Sequence, residues 1–160
     1  MNKVLITADR VITGPADQVI DAGAVLVDSG RIAAVGAAVA LEASLDAAVP
    51  RQSYAVATVL PGLIDCHVHL VFDAGRDPIG AATEPDRDEL AAAMAGRAGQ
   101  LLAAGVTTVR DLGDRDALTV ALRASIEAGT ATGTAYRRGD RTADLARRPL
   151  RVPGGRGHDG

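Results

Sequence analysis

Two histidines, His67 and His69, stand two residues apart at the end of the apolar run Val59-Leu60-Pro61-Gly62-Leu63-Ile64-Asp65-Cys66-His67-Val68-His69-Leu70. In an extended strand the side chains alternate between faces with a period of two. His67 and His69 therefore share a face, with Asp65 behind them on it. Cys66, Val68 and Leu70 point the other way, and that face is apolar or small enough to be buried against helices. Neutral imidazole nitrogens converging from a stiff backbone are what a divalent metal asks of a single strand. The bare pair also suits two surface histidines that alternate on a strand by chance. The context bears on the choice: the strand is apolar enough to be internal, and buried histidines need partners. A metal would satisfy both rings at once. Cys66 reads as a small buried residue rather than a nucleophile.

The elements that must hold this pair are legible on either side. Pro61-Gly62 is a turn into the strand. After His69, Val71 to Pro78 form a polar loop at the strand's carboxyl end. Asp73, Arg76 and Asp77 in it read as solvated loop residues, with lining of a substrate cleft as the alternative. Pro85-Asp86-Arg87-Asp88-Glu89 opens a helix, its acids placed for the N-terminal dipole. Leu90, Met94, Leu101 and Leu102 give that helix its apolar face, and Gly105 ends it. Residues 106–112 form a second strand, Gly113-Asp114 a turn, and Asp116 to about Ala128 a second helix closed by Gly129. Upstream, residues 3–12 read as a strand ending at Gly14-Pro15. Residues 19–28 and 31–36 are strands joined through Asp28-Ser29-Gly30, a hairpin. Residues 37–54 are Ala-rich and read as a loop, with a short strand near Ala55–Val59.

The 160 residues are 48% hydrophobic and 23% charged, a globular composition. No apolar run reaches the ~20 residues that span a bilayer. Met1-Asn2-Lys3 leads straight into a strand pattern, so no signal peptide is expected. The single cysteine fits a reducing cytoplasm. With aromatics at 2%, there is no stacking platform for single-stranded nucleic acid. Neither nucleic acid nor membrane is an expected partner. Charge changes along the chain: residues 1–130 carry ten Lys and Arg against seventeen Asp and Glu, and residues 131–160 carry seven Arg against three Asp. An Arg-rich tail ordinarily suggests an acidic partner, but this one is interspersed with acids, has Tyr136 as its only aromatic residue, and lacks an amphipathic period.

Leu60-Pro61-Gly62-Leu63-Ile64-Asp65-Cys66-His67-Val68-His69 resembles the first barrel strand of the amidohydrolase superfamily. Gly105-Val106-Thr107-Thr108-Val109-Arg110-Asp111-Leu112-Gly113 resembles its second. The pair is most similar to the imidazolonepropionase-like and prolidase-like branch, and the resemblance covers roughly residues 1–130. It implies an α/β chain. Residues 1–57 would be the N-terminal part of a composite β-sandwich, and residues 58–130 the first two βα units of a (β/α)8 TIM-type barrel. Residues 131–160 would be an anomalous tail. A full barrel takes about 250 residues, and only about 100 follow residue 59, so the barrel is expected to be truncated.

The resemblance further implies that His67 and His69 ligate a divalent metal, with zinc expected, in a hydrolase of C–N bonds. Asp65 would support the histidines from behind. Arg110 and Asp111 would reach the site, or else form a salt bridge or a loop cap. The remaining parts implied are a bridging lysine or acid, two more histidines and an aspartate base, all beyond residue 130. The one further histidine, His158, sits in a Gly- and Arg-rich stretch and reads as exposed. Codon choices exist under which a shifted frame through Asp144–Arg151 spells Thr-Ser-Pro-Gly-Gly-His-Cys, so the tail reads as out-of-frame translation from between about Ala128 and Ala135. The expected function is a metal-dependent amidohydrolase acting on a small-molecule amide, cyclic amide or dipeptide. The alternative is an inactive truncated fragment with weak metal binding. A basic-tailed binding module is a third, weaker reading. The residues leave the substrate and the oligomeric state open.

Overall fold

The computed structural model describes residues 3–14 and 18–136. The expected out-of-frame segment beyond Tyr136, His158 included, lies outside the described residues. The chain divides into two units, Met1–Pro61 and Gly62–Gly160.

In the first unit, short apolar runs bounded by turn residues make three strands: β1 (Lys3–Ile12), β2 (Val19–Asp28) and β3 (Arg31–Ala37). β1 and β2 pair antiparallel with Leu5 opposite Leu26, and β2 pairs antiparallel with β3. Ser29 and Gly30 close the second hairpin at φ 52° and 77°. Positive φ at both central residues is what a two-residue hairpin turn requires. The Ala-rich stretch expected as a loop contains a short helix, α1 (Ala38–Ala43), and β4 (Arg51–Val59) begins earlier than its composition suggests. Its start is set by partnership: β4 runs parallel to β1 with Leu5 opposite Arg51. The sheet order is β3-β2-β1-β4. On one face Leu5, Ala24 and Leu26 are buried and Leu41 and Leu45 pack on them. Ile32 and Val35 remain exposed.

In the second unit, three parallel strands lie in the order β5-β6-β7: β5 (Leu63–Val68), β6 (Val106–Asp111) and β7 (Ala135–Tyr136). Parallel neighbours need a long crossover, and helices supply it. Between β5 and β6 run α2 (Pro78–Thr83) and α3 (Arg87–Ala103), and between β6 and β7 runs α4 (Leu118–Glu127). The whole is a mixed α/β chain. The polar loop after His69 was not expected to hold α2, which is set locally by Asp77 accepting the Gly80 N–H at 2.8 Å. α3 starts with a reciprocal cap: Asp86 accepts from the Asp88 and Glu89 N–H groups, and Glu89 accepts from the Asp86 N–H. Its buried face is Leu90, Met94 and Ala98. Leu101 and Leu102, expected on that face, are only half-buried, and of the two it is Leu101 that packs against the core. α4 begins at Leu118 rather than Asp116, since Asp116 and Ala117 sit at φ 60° and 55°, outside the helical region. Leu70, Val71, Leu90, Met94, Val109, Leu118 and Leu122 form one core between the helices and β6.

Candidate metal centre

β5 ends at Val68, so His69 lies one residue past the strand it was expected to occupy. The two imidazoles nonetheless meet: their ring centroids are 5.3 Å apart, inclined at 67°. His67 is exposed and His69 half-buried. The expectation of an internal strand is corrected in its first half. Leu63 is 52% and Ile64 66% exposed, and Cys66 is exposed rather than buried. β5 is the edge of its sheet, with β6 on one side. From this stretch only Val68, Leu70, Val71 and Phe72 reach the core.

His69 is fixed by contacts far away in sequence. Its Nδ1 lies 3.0 Å from the Gly113 carbonyl oxygen. A carbonyl can only accept, so Nδ1 carries the hydrogen and a neutral ring presents its lone pair at Nε2. The Phe72 ring lies 5.7 Å from the His69 ring, centroid to centroid. Asp65 accepts the backbone N–H of His67 at 3.0 Å.

Asp111 closes the far side. It is buried, and its two carboxylate oxygens accept from the Leu70 N–H at 3.2 Å and the Gly113 N–H at 3.1 Å. Of the roles expected for it, the loop cap is the one the structure displays. Burial pushes its carboxyl above the ordinary carboxylate value. The Gly113 and Leu70 N–H groups pull the other way, Asp114 adds to the rise and His69 opposes it. Arg110 is exposed, with no side-chain hydrogen bond or ion pair among the described residues. Asp73 and Asp77 cap local turns, accepting from Gly75 and Gly80, and with Arg76 they are exposed.

Arg97, on α3, gives no sign in the sequence of its role here. Its guanidinium donates to the Leu70 carbonyl at 2.7 Å and approaches the Val71 carbonyl at 3.4 Å. Gly113 was legible only as a turn. Its φ of 145° is one that L side chains rarely adopt, and it lets one residue aim its N–H at Asp111 and its carbonyl at His69.

The donor set suits a divalent cation in kind. A hydrolytic zinc site takes three protein ligands, and two adjacent imidazoles are of the right kind for two of them. Among the described residues, no group of three His, Cys, Asp or Glu comes together to hold a metal.

In the second unit, parallel strands are joined by helices, and His69, Asp111 and Gly113 gather where β5 and β6 end. Residues 58–147 match the amidohydrolase family. The chain belongs to that family. It is 38% identical over 115 residues to the imidazolonepropionase of Cupriavidus metallidurans, an alignment covering 69% of this chain and 25% of that protein. It is 35% identical over 140 residues to the imidazolonepropionase of Micrococcus luteus, covering 85% of this chain and 31% of that one. In three dimensions it is similar to a Xaa-Pro dipeptidase crystallised with bound methionine, at TM-score 0.67 and 27% identity, over 84% of this chain and 32% of that chain. The chain thus spans about a third or less of the length of these relatives. No helix among the described residues is long and apolar enough to cross a membrane.

Proposed function

We propose that the chain contributes the first metal ligands of a zinc-dependent hydrolase of C–N bonds, with His67 and His69 as those ligands. The observation that carries this reading is the pairing of two imidazoles 5.3 Å apart at the end of the first parallel strand, in a member of the amidohydrolase family. In this proposal residues 58–130 are the opening βα units of a (β/α)8 barrel, and residues 1–57 are the N-terminal part of a composite β-sandwich. The substrates are small: an imidazolone propionate, by likeness to the curated relatives, or a dipeptide, by likeness to the Xaa-Pro dipeptidase.

When bound, a divalent cation acidifies a water and polarises a carbonyl or imine carbon. The chain's own residues prepare for this. His67 and His69 bring two imidazole rings side by side, their centroids 5.3 Å apart. The Gly113 carbonyl occupies Nδ1 of His69, so Nε2 is the nitrogen that would hold a cation. Asp65 braces the His67 backbone rather than offering a ligand.

A second reading is favoured by the two-histidine donor set itself: the 160-residue chain alone binds metal weakly and turns nothing over. The two readings separate in one pair of assays with zinc, manganese or cobalt supplied. The 160-residue chain is expected to hydrolyse neither imidazolone propionate nor Xaa-Pro dipeptides above background. A chain extended from the gene to the length of its relatives is expected to hydrolyse one of them, and to lose that activity on His67→Ala or His69→Ala. An extended chain whose activity survives both substitutions contradicts the ligand assignment. Chelator-sensitive turnover by the short chain contradicts the second reading.

A further inference from the structure

The peptide group between His69 and Leu70, and the one that follows it, are held from opposite sides by two charged side chains. The Leu70 N–H donates to one oxygen of Asp111 at 3.2 Å, and the Leu70 carbonyl accepts from Arg97 at 2.7 Å. The other Asp111 oxygen accepts the Gly113 N–H at 3.1 Å, and the Gly113 carbonyl meets His69 Nδ1 at 3.0 Å. These contacts close a loop from His69 through Leu70, Asp111 and Gly113 back to the His69 ring. Leu70 is 4% and Asp111 3% exposed, so water cannot readily replace the bonds if one partner is removed. β5 and β6 are already joined by their backbones at this level, where the Leu112 N–H donates to the Val68 carbonyl at 3.0 Å. The carboxylate adds something the ladder does not: it orients the one residue whose carbonyl reaches the imidazole.

We propose that Asp111 and Arg97 are positioning residues that set the tautomer and direction of the His69 ring toward a divalent cation. The inference rests on the ligand reading above. Neither residue touches the cation. Arg97 fixes the turn after His69 from the α3 side, and Asp111 fixes it from the β6 side while aiming Gly113. A metal-ligating imidazole whose other nitrogen is hydrogen-bonded keeps one tautomer, and loss of such outer partners typically weakens metal binding by about 10–100-fold.

The test uses the full 160-residue chain, labelled with 15N, and two readouts. The first is the tautomer of each histidine in the metal-free protein, from long-range imidazole 15N spectra, with exposed His67 as the internal comparison. The second is affinity for zinc chloride by titration. In the wild type, His69 should be held as the Nδ1–H form. Asp111→Asn and Arg97→Met should each release it toward the mixture shown by His67 and weaken zinc by about tenfold or more. Arg97→Lys, which keeps a donor for the Leu70 carbonyl, should recover much of both. Should Asp111→Asn fail to fold, Arg97→Met with its lysine rescue carries the same test from the other side of Leu70. A wild-type His69 in the Nε2–H form overturns the inference. So do variants in which the Leu70 and Gly113 amide signals move while tautomer and zinc affinity stay unchanged. A wild type that takes no zinc, yet whose tautomer is released in the variants, sinks the ligand reading and leaves the positioning role supported.

Discussion

His69 is defined less by β5, which ends one residue before it, than by Gly113, 44 positions away. The His-x-His spacing is written in the sequence, and so is Asp111 as a residue at the end of the second strand. Gly113 as ring acceptor and Arg97 as a brace were not legible, because their contacts join segments that only the parallel pairing of β5 with β6 and the packing of α3 bring together. The expectation that Cys66 would be buried failed for a related reason: alternation assigns a face but does not say what covers it. One prediction belongs to Asp111 itself. Burial raises its carboxyl above the ordinary value of 3.8. A carboxyl raised on folding favours the folded state fully below its unfolded value, and loses that contribution as pH rises through its folded value. The metal-free wild type should therefore gain stability relative to Asp111→Asn as pH falls from about 7 to about 4. Thermal melts of the two proteins across that range measure it; a difference that is flat, or that moves toward Asp111→Asn on acidification, contradicts it.

The elements divide by how local their causes are. β1, β2 and β3 follow from apolar runs and a Ser-Gly turn, and α3 follows from its acidic cap and its Leu90, Met94 periodicity. The two six-residue helices α1 and α2 escaped because helices that short are marginal alone; α2 exists through its Asp77 cap and α1 through the packing of Leu41. β4 gained its first half from pairing with β1 rather than from its own composition. α3 matters most for the site, since it carries Arg97 and its Leu90, Met94 and Ala98 face is buried in the core. Removing the buried Met94 side chain with Met94→Ala should cost about 2–5 kcal/mol. Removing the cap with Asp86→Ala should cost about 0.5–2 kcal/mol. Chemical denaturation measures both. An Asp86→Ala loss larger than that of Met94→Ala would mean that α3 is held by its end rather than by its buried face.

At the scale of the whole molecule, the second unit has an open edge. Among the described residues β5 pairs only with β6, and its Leu63 and Ile64 lie mostly exposed. An unpaired edge with apolar side chains is a template for association. The 160-residue chain is expected to associate as its concentration rises, and Ile64→Lys should suppress this. Light scattering over a concentration series checks it; a chain that stays monomeric throughout, with a cooperative thermal transition, contradicts it. The family relationship was legible from the two strand motifs because they are short, contiguous and rich in chemistry. The substrate was not, since the loops that select one are not identified by those motifs.

The central claim is that His67 and His69 together ligate a divalent cation. Equilibrium dialysis of the chain against zinc, with His67→Ala, His69→Ala and the double variant alongside, tests it most directly. The predicted result is about one zinc per wild-type chain, removed by a mild chelator, with either single substitution weakening binding by more than the roughly 10–100-fold cost of losing an outer partner. Zinc uptake by the double variant equal to that of the wild type would contradict it.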